Sequence, residues 1–340
     1  MRWPPAWIVA AVVLFLAVPA AADETRFAGV VERARELPRL HVLMIAQDGE
    51  TVVSHAAKGR SVDRAANIKS VAKSIISALV GMAIDRGLIK GAEQPLADLM
   101  PLPAGADPRL QAVTVGNFLS MQTGLERTSG RNYGRWVQSK DWVSFALTRP
   151  FVDEPGGAML YSTGSSHVMS ALLTRVSGKS TWALANEWLA KPLGISIPKW
   201  QTDPKGIYFG GNNMALSPRA LLAIGELYRN GGLHEGRRVL SENWVKRSWE
   251  PRTASRFTGH PYGYGWFMRR ICGHTAYYGR GFGGQFLYVI PSLGASVVIL
   301  SDPDRHSRRE GYWWAMSELM DDHVVPALAR AASAETACRG

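Results

Sequence analysis

The chain has 340 residues, 46% of them apolar and 20% charged, which is typical of a globular enzyme with one large core or two lobes. Its formal net charge is +11, but no run of four consecutive Lys or Arg occurs, so the charge does not indicate a nucleic-acid-binding protein. The excess of basic residues suits a protein that acts near an anionic cell wall or on an acidic substrate, or it simply reflects a solvated surface.

The first 22 residues have the pattern of a signal peptide. Arg2 precedes an apolar run from Trp7 to Val18, and Pro19-Ala20-Ala21-Ala22 supplies small residues for cleavage after Ala22. A membrane anchor is the alternative, but this segment is shorter than the roughly 20 residues that a spanning helix needs. We therefore expect an exported, periplasmic protein with no stable membrane anchor after cleavage.

Two cysteines are present, Cys272 and Cys338. In an oxidising compartment they either form a disulfide that ties the C-terminal tail to a strand, or remain two unrelated thiols. Neither lies beside the candidate catalytic residues in the sequence, so we do not expect a cysteine nucleophile.

The predicted elements run from strands to helices and back to strands. Asp48-Gly49-Glu50 joins two short strands as a tight hairpin. Around it the sequence predicts the following elements: strands at 40–47 and 51–57, a helix at 70–85, helices at 166–176, 181–189, 218–229 and 241–249, strands at 263–271, 274–278, 285–290 and 295–300, and a closing helix from 311 to about 331. The helix at 70–85 is apolar around nearly its whole circumference and should be buried.

Strands at both ends and helices between them predict an α/β (α+β) fold with one antiparallel sheet built from both termini. The expected organisation is a signal peptide at 1–22, a sheet lobe from 23–69 plus 256–340, and a mostly helical lobe at 70–255. A single active site should lie between the two lobes.

Ser70-Val71-Ala72-Lys73 opens the buried helix. Residues three apart share one helix face, so Lys73 can reach the Ser70 hydroxyl, and desolvation would favour the neutral amine that a general base requires. The spacing alone is weak evidence for a catalytic pair, because the same spacing occurs in Ser196-Ile197-Pro198-Lys199, in a loop that contains a proline. Alternatively, Ser70 is only a helix cap and Lys73 a surface residue.

Two further segments complete the candidate site. Tyr161 follows Glu154-Pro155-Gly156-Gly157 and could relay a proton in a cleft, or be a half-buried packing residue. A dinucleotide-binding pattern of glycines occurs at Gly279-Arg280-Gly281-Phe282-Gly283-Gly284. A strand follows it instead of a helix, so we expect no dinucleotide cofactor. Its glycines either let the backbone approach a ligand or form bulges at a sheet edge.

These three segments, in this order, resemble the serine β-lactamase and penicillin-binding protein superfamily. Within it the chain is most similar to the class C β-lactamase-related branch, which includes esterases, D-aminopeptidases and 6-aminohexanoate-dimer hydrolases. Further matching segments are Gly81 to Ile89, Leu119 to Leu125, Lys191 to Ile195 and Tyr262 to Trp266.

The resemblance implies Ser70 as nucleophile, Lys73 as its base partner and Tyr161 as proton shuttle to the leaving group. It also implies an oxyanion hole made by the backbone amides of Ser70 and Phe282. Two residues depart from the β-lactamase pattern. Arg280 stands between Gly279 and Gly281 where Lys-Thr-Gly is usual, and Thr163 replaces an Asn after the shuttle Tyr.

The departures favour an ester, a linear amide or a short oligomer as substrate over a β-lactam. Arg280 could face inward and pair with a substrate carboxylate, or face solvent. Expected substrate contacts are Thr163, Arg280, Gly281, Tyr133 and Trp136, the last two on a segment at 126–142 that either overhangs the cleft or is an ordinary surface loop. No histidine spacing indicates a metal, and His167 is expected to be structural.

The sequence thus predicts a β-lactamase-related serine hydrolase, with no cofactor, that forms an acyl-Ser70 intermediate. The alternatives are a DD-carboxypeptidase or β-lactamase acting on peptidoglycan or β-lactams, and a catalytically silent periplasmic binding module.

Overall fold

The computed structural model describes residues 20–305 and 311–331. The α-helices are α1 Ala20–Arg35, α2 Ala72–Asp85, α3 Val115–Leu119, α4 Tyr133–Val137, α5 Trp142–Leu147, α6 Thr163–Ser177, α7 Thr181–Leu184, α8 Pro218–Arg229, α9 Glu242–Ser248, α10 Tyr312–Glu318 and α11 Val325–Ala331. A π-helical segment, Ala185–Ala190, extends α7, and a second one, Leu319–Val324, joins α10 to α11. None of the helices in these two ranges has the length and apolar character of a membrane span.

The strands are β1 Leu40–Gln47, β2 Glu50–Ala56, β3 Ala66–Asn67, β4 Ala215–Leu216, β5 Leu233–His234, β6 Arg237–Arg238, β7 Thr253–Ala254, β8 Pro261–Tyr262, β9 Phe267–Ile271, β10 His274–Gly281, β11 Gln285–Ile290 and β12 Ala295–Ser301. Eight of them form one antiparallel sheet in the order β2-β1-β12-β11-β10-β9-β8-β7. The predicted fold class, with a sheet built from both ends of the chain and flanked by helices, is confirmed.

Both faces of the sheet are buried at its strands β1, β11 and β12. Successive residues of a strand point to opposite faces, so on β1 Met44 packs into the core shared with α2 and α8, while Ile45 packs into the core on the other face. This explains why β1, β11 and β12 are apolar almost throughout instead of alternating. Helix α8, which the sequence placed in the helical lobe, packs against β11, β12 and β1.

The N-terminal helix α1 was not predicted. It begins at Ala20, so the predicted cleavage point after Ala22 falls in its first turn, and it packs against β1 and β2. Residues 1–19, which carry most of the predicted signal peptide, lie outside the described residues, as does Cys338. Cleavage and a disulfide to Cys272 therefore stay predictions.

Helix α2 is buried along nearly its whole length, as its composition predicts. Gly81 is required there because a Cβ at this position would lie 2.3 Å from the Trp244 ring. Near the start of α2, Ser74 Oγ donates to the Gly265 carbonyl oxygen at 2.7 Å. Ser70 itself lies in a 3-10 turn, Lys69–Val71, and the α-helix begins only at Ala72.

Candidate active site

A cleft with a volume of about 1110 Å³ opens beside Ser70. Its walls come from separate parts of the chain: the turn before α2, the segment that leads into α4, the Tyr161 loop, the loop before β4, and the end of β10. The volume lies just above the usual range for small-molecule sites, about 300–1,000 Å³, so a short oligomer fits as well as a single small ester.

The backbone before Ser70 is held in an uncommon conformation. Lys69 has φ +49°, and its amide donates to Asn67 Oδ1 at 2.9 Å. The side-chain Nδ2 of Asn67 donates in turn to Asn213 Oδ1 at 3.1 Å, and Asn213 also has a positive φ, +54°. A non-glycine residue in this region costs about 1–2 kcal/mol, so the Asn67 bridge links two strained residues of the cleft wall, one of them next to the nucleophile.

Lys73 is surrounded by partners that suit a neutral amine. Its Nζ lies 2.9 Å from Ser70 Oγ, 2.7 Å from the Gly211 carbonyl oxygen and 3.5 Å from Thr163 Oγ1. The side chain is only 3% exposed, and this desolvation lowers the pKa of Lys73 to about 7. A neutral Lys73 donates its two N–H groups to Gly211 and Thr163 and directs its lone pair to the Ser70 hydroxyl.

Tyr161 completes the group around Ser70. Burial raises the pKa of Tyr161 to about 12, although a hydrogen bond with Ser70 and the positive charge of Arg280 oppose the rise. Its ring lies 4.9 Å from Lys73 Nζ and stacks on Phe267. Tyr161 is therefore a protonated hydrogen-bond donor at neutral pH, close to both other groups.

The Leu119 to Leu125 segment forms hydrogen bonds with the loop that carries Tyr161. The amide of Leu160 donates to the Met121 carbonyl oxygen at 2.8 Å, immediately before Tyr161. The Gln122 side-chain amide donates to the carbonyl oxygens of Gly156 and Gly157 at 2.8 and 2.7 Å. This segment contributes backbone and amide contacts that hold the loop in place.

The loop that carries Gly211 was missed by sequence reasoning. Its carbonyl oxygen is the nearest partner of Lys73, and a Cβ on Gly211 would lie 3.2 Å from Lys73 Nζ. The loop is anchored by a fully buried pair: Asp203 lies 3.0 Å from His167 Nε2, and the Gly210 amide donates to His167 Nδ1 at 3.4 Å. His167 is thus a structural residue, and the run Gly210-Gly211 was the available signal of close backbone approach.

Strand β10 forms the wall next to Ser70. A Cβ on Gly279 would lie 2.8 Å from Ser74 Oγ, and one on Gly281 would lie 2.6 Å from the Ile68 carbonyl oxygen. Only glycine allows the strand this close to the start of α2. Phe282 follows directly and lines the cleft, so the chain after β10 is near the nucleophile, but the oxyanion hole stays a prediction.

The other expected contacts divide between cleft and core. Thr163, Arg280, Gly281 and Tyr133 line the cleft, and the Arg280 guanidinium also stacks at 3.9 Å on the Trp313 ring.

Trp136 does not line the cleft, contrary to expectation. It is 0% exposed, and its ring packs against Trp142, His167 and Phe209 in the core. The segment at 126–142 contributes Arg127, Ser129 and Gly130 to the cleft instead.

Ser129 was not predicted, yet it supports the site directly. Its Oγ accepts the Thr163 amide at 2.9 Å and lies 2.9 Å from Thr163 Oγ1, the group that contacts Lys73. Within the described residues, no cluster of three or more His, Cys, Asp or Glu could hold a metal ion.

A family model described as Beta-lactamase matches residues 18–318. The chain belongs to the beta-lactamase family. A curated relative, the 6-aminohexanoate-dimer hydrolase of Paenarthrobacter ureafaciens, is 26% identical over 311 residues, which cover 82% of this chain and 78% of the relative. Membership confirms the predicted superfamily and makes this chain a serine hydrolase of the β-lactamase-like fold.

Solved structures confirm the fold at low sequence identity. EstCE1, a hydrolase with promiscuous acyltransferase activity, gives a TM-score of 0.73 at 17% identity, with 89% of this chain and 99% of EstCE1 covered. A D-stereospecific amidohydrolase from Streptomyces sp. gives 0.67 at 16% identity, with 88% and 98% covered. A hydrolase with acyltransferase activity and an amidohydrolase thus share this architecture.

Proposed function

We propose that this enzyme hydrolyses a linear amide or ester of a small aliphatic molecule through a covalent acyl-Ser70 intermediate. The observation that carries the proposal is the desolvated Lys73, whose Nζ lies 2.9 Å from Ser70 Oγ and whose pKa is about 7. An amine with this pKa is substantially neutral at physiological pH and can accept a proton.

In acylation, Ser70 Oγ attacks the substrate carbonyl carbon while its proton passes to Lys73 Nζ. The carbonyl oxygen becomes an oxyanion, which the backbone amides of Ser70 and Phe282 are proposed to receive. Tyr161 then donates its hydroxyl proton to the leaving nitrogen or oxygen, the bond to the leaving group breaks, and the Lys73 ammonium returns a proton to Tyr161. The net transfer is one proton from Ser70 to the leaving group.

In deacylation, a water molecule attacks the acyl carbon and loses a proton to the same Lys73–Tyr161 pair. The pair returns that proton to Ser70 Oγ as the ester bond breaks, which releases the carboxylic acid and restores the enzyme. The Gly211 carbonyl oxygen, 2.7 Å from Nζ, holds the amine in place through both steps.

For the substrate we propose an aliphatic amide that carries a carboxylate, such as an aminohexanoate oligomer. Three features support this class: the curated relative is a 6-aminohexanoate-dimer hydrolase, the cleft is large, and cationic side chains line it. Arg280 and Thr163, in place of the usual Lys and Asn, support a linear substrate over a β-lactam. The N-terminal pattern further supports a periplasmic location.

The test uses purified protein and active-site labelling. A fluorophosphonate probe should label the wild type at Ser70, and Ser70→Ala should lose labelling while it keeps its melting temperature. Tyr161→Phe, which removes only the hydroxyl, should lower kcat on an aminohexanoate dimer or a 4-nitrophenyl ester by about 100-fold or more. Labelling that persists in Ser70→Ala, or an unchanged kcat in Tyr161→Phe, would contradict the respective role.

A further inference from the structure

The charged side chains that line the cleft are all cationic among the residues that the structure describes. Lys69, Arg127, Arg256 and Arg280 line it, and no Asp or Glu of the described ranges does. A cleft lined by a single sign with low-dielectric walls concentrates its field and raises the local concentration of counter-ions. The rest of the wall is largely apolar or aromatic, from Met159, Leu160, Phe257, Phe267 and Phe282. This combination fits an aliphatic chain that ends in an anionic group.

Two of the four cations have an acidic neighbour, and a third packs at 3.9 Å on an aromatic ring. Lys69 Nζ lies 3.7 Å from an Asp304 carboxylate oxygen. The Arg280 guanidinium stacks on Trp313, and its charge acts on Tyr161.

Arg256 lies close enough to Asp153 for its charge to act on that carboxyl group. The pKa of Asp153 is lowered first by the amides of Ala158 and Glu154 and then by the charge of Arg256. These contacts leave Arg127 as the cation to consider for a ligand.

Arg127 forms an ion pair with no carboxylate in the part of the chain that the structure describes. Its neighbour in sequence, Glu126, is bound instead by Arg149 and by Arg131, the latter at 2.8 Å. These two arginines hold the pKa of Glu126 at about 2, so its charge is already matched.

The position of Arg127 suits a ligand at the cleft mouth. Its Cζ lies 5.8 Å from the centre of the Phe257 ring, a cation–π contact that orients the guanidinium. Phe257 is 61% exposed and lines the same cleft, so its ring offers apolar surface directly beside the charge. Gly130, also in the wall, has no side chain to cover the guanidinium.

We propose that Arg127, together with Phe257, forms a carboxylate subsite that binds the charged end of an aliphatic substrate whose reactive carbonyl lies at Ser70. This inference deepens the proposed function and rests on it. The guanidinium binds a carboxylate in the bidentate geometry that arginine favours, and Phe257 contacts the methylene groups next to it. The subsite selects among substrates and takes no part in bond cleavage.

The experiment measures binding without turnover, so that it can fail separately from the catalytic proposal. In a Ser70→Ala background, isothermal titration calorimetry compares N-hexanoyl-6-aminohexanoate with its neutral terminal carboxamide. The carboxylate should bind at least about 10-fold more tightly, since a hydrogen bond to a charged group typically contributes about 10- to 100-fold. Adding Arg127→Ala should remove this preference and leave carboxamide binding nearly unchanged, while Arg127→Lys should retain part of it.

Arg131→Ala is the matched control, because Arg131 has a side chain that is 83% exposed and pairs with Glu126 outside the cleft wall. It should keep the full carboxylate preference. A preference that survives Arg127→Ala, an equal loss for both ligands, or no binding of either ligand would overturn the subsite. Absence of turnover in the wild type, by contrast, would count against the proposed function alone.

Discussion

Thr163 offers a direct test of whether Lys73 is the group whose neutral form drives catalysis. Its Oγ1 lies 3.5 Å from Lys73 Nζ, so Thr163→Asp places a carboxylate beside the amine. Two unit charges about 4 Å apart attract by about 4 kcal/mol at an effective dielectric constant of about 20, which corresponds to about 3 pKa units. An anion favours the charged amine, so the pKa of Lys73 should rise from about 7 toward about 10.

The assay is the pH dependence of kcat/KM for 4-nitrophenyl hexanoate, with spontaneous hydrolysis subtracted. In the wild type the rate should rise with pH and level off above an inflection near 7, where Lys73 loses its proton. Tyr161, with a pKa of about 12, stays protonated throughout this range. Thr163→Asp should move the inflection upward by about 2–3 units and lower the rate at pH 7 by about 100-fold or more, with recovery at alkaline pH.

Thr163→Asn is the matched control, because it has nearly the same shape as Asp without its charge. Its inflection should stay near that of the wild type, and both variants should unfold in one cooperative transition well above the assay temperature. The same inflection in the Asp and Asn variants would show that another group governs the acid limb and would refute the role of Lys73 as the neutral base.

Two further predictions follow from the same site. Lys73→Met should abolish turnover yet raise the free energy of unfolding. The pKa of Lys73 is about 7 in the folded state and 10.5 in the unfolded state, so the wild type is destabilised most below pH 7, by about 5 kcal/mol, and regains stability as the pH rises toward 10.5. Urea unfolding should therefore show a larger gap in the free energy of unfolding between Lys73→Met and the wild type at pH 6 than at pH 9.5. A gap that is the same at both pH values would argue against a lowered pKa of Lys73. Asn67→Ala should lower kcat by about 10-fold or more with little change in KM, because it removes the hydrogen bond that holds the backbone before Ser70. Steady-state kinetics that show only a raised KM would assign Asn67 to substrate binding instead.

The sequence was sufficient to identify the residues that meet at the nucleophile. Ser70 lies in the 3-10 turn that leads into α2, and Lys73 lies in the first turn of that helix, whose apolar circumference predicts burial; burial is what shifts the pKa of Lys73. Tyr161 joins them through a loop that family resemblance, not periodicity, indicated. The main strands were predicted well because both their type and their ends have local signals, such as the turn at Asp48-Gly49 and the glycine at 294.

What the sequence did not predict depends on contacts between distant segments. The Gly211 carbonyl oxygen holds Lys73, but a backbone oxygen has no residue-type signature, and its position depends on the buried contact of His167 with Asp203. Asn67 is similar: its role becomes visible only when β3 pairs with β4 and brings it to Asn213. Such side-chain bridges set the geometry of the reacting groups without adding to the apolar core.

Trp136 shows why an aromatic residue near a cleft cannot be assigned from its sequence alone. Tyr133 and Trp136 belong to the same short helix, and their rings meet edge to face at 5.8 Å, yet only Tyr133 reaches the cleft. The difference arises from packing: Trp136 Nε1 donates to the Trp142 carbonyl oxygen at 2.9 Å, which satisfies its polar atom inside the core. Tyr133 instead accepts a hydrogen bond from the Asn212 side-chain amide across the cleft wall, next to the Gly211 carbonyl oxygen that holds the base. The buried tryptophan therefore supports the tyrosine, and the tyrosine joins the substrate cleft to the loop that positions Lys73.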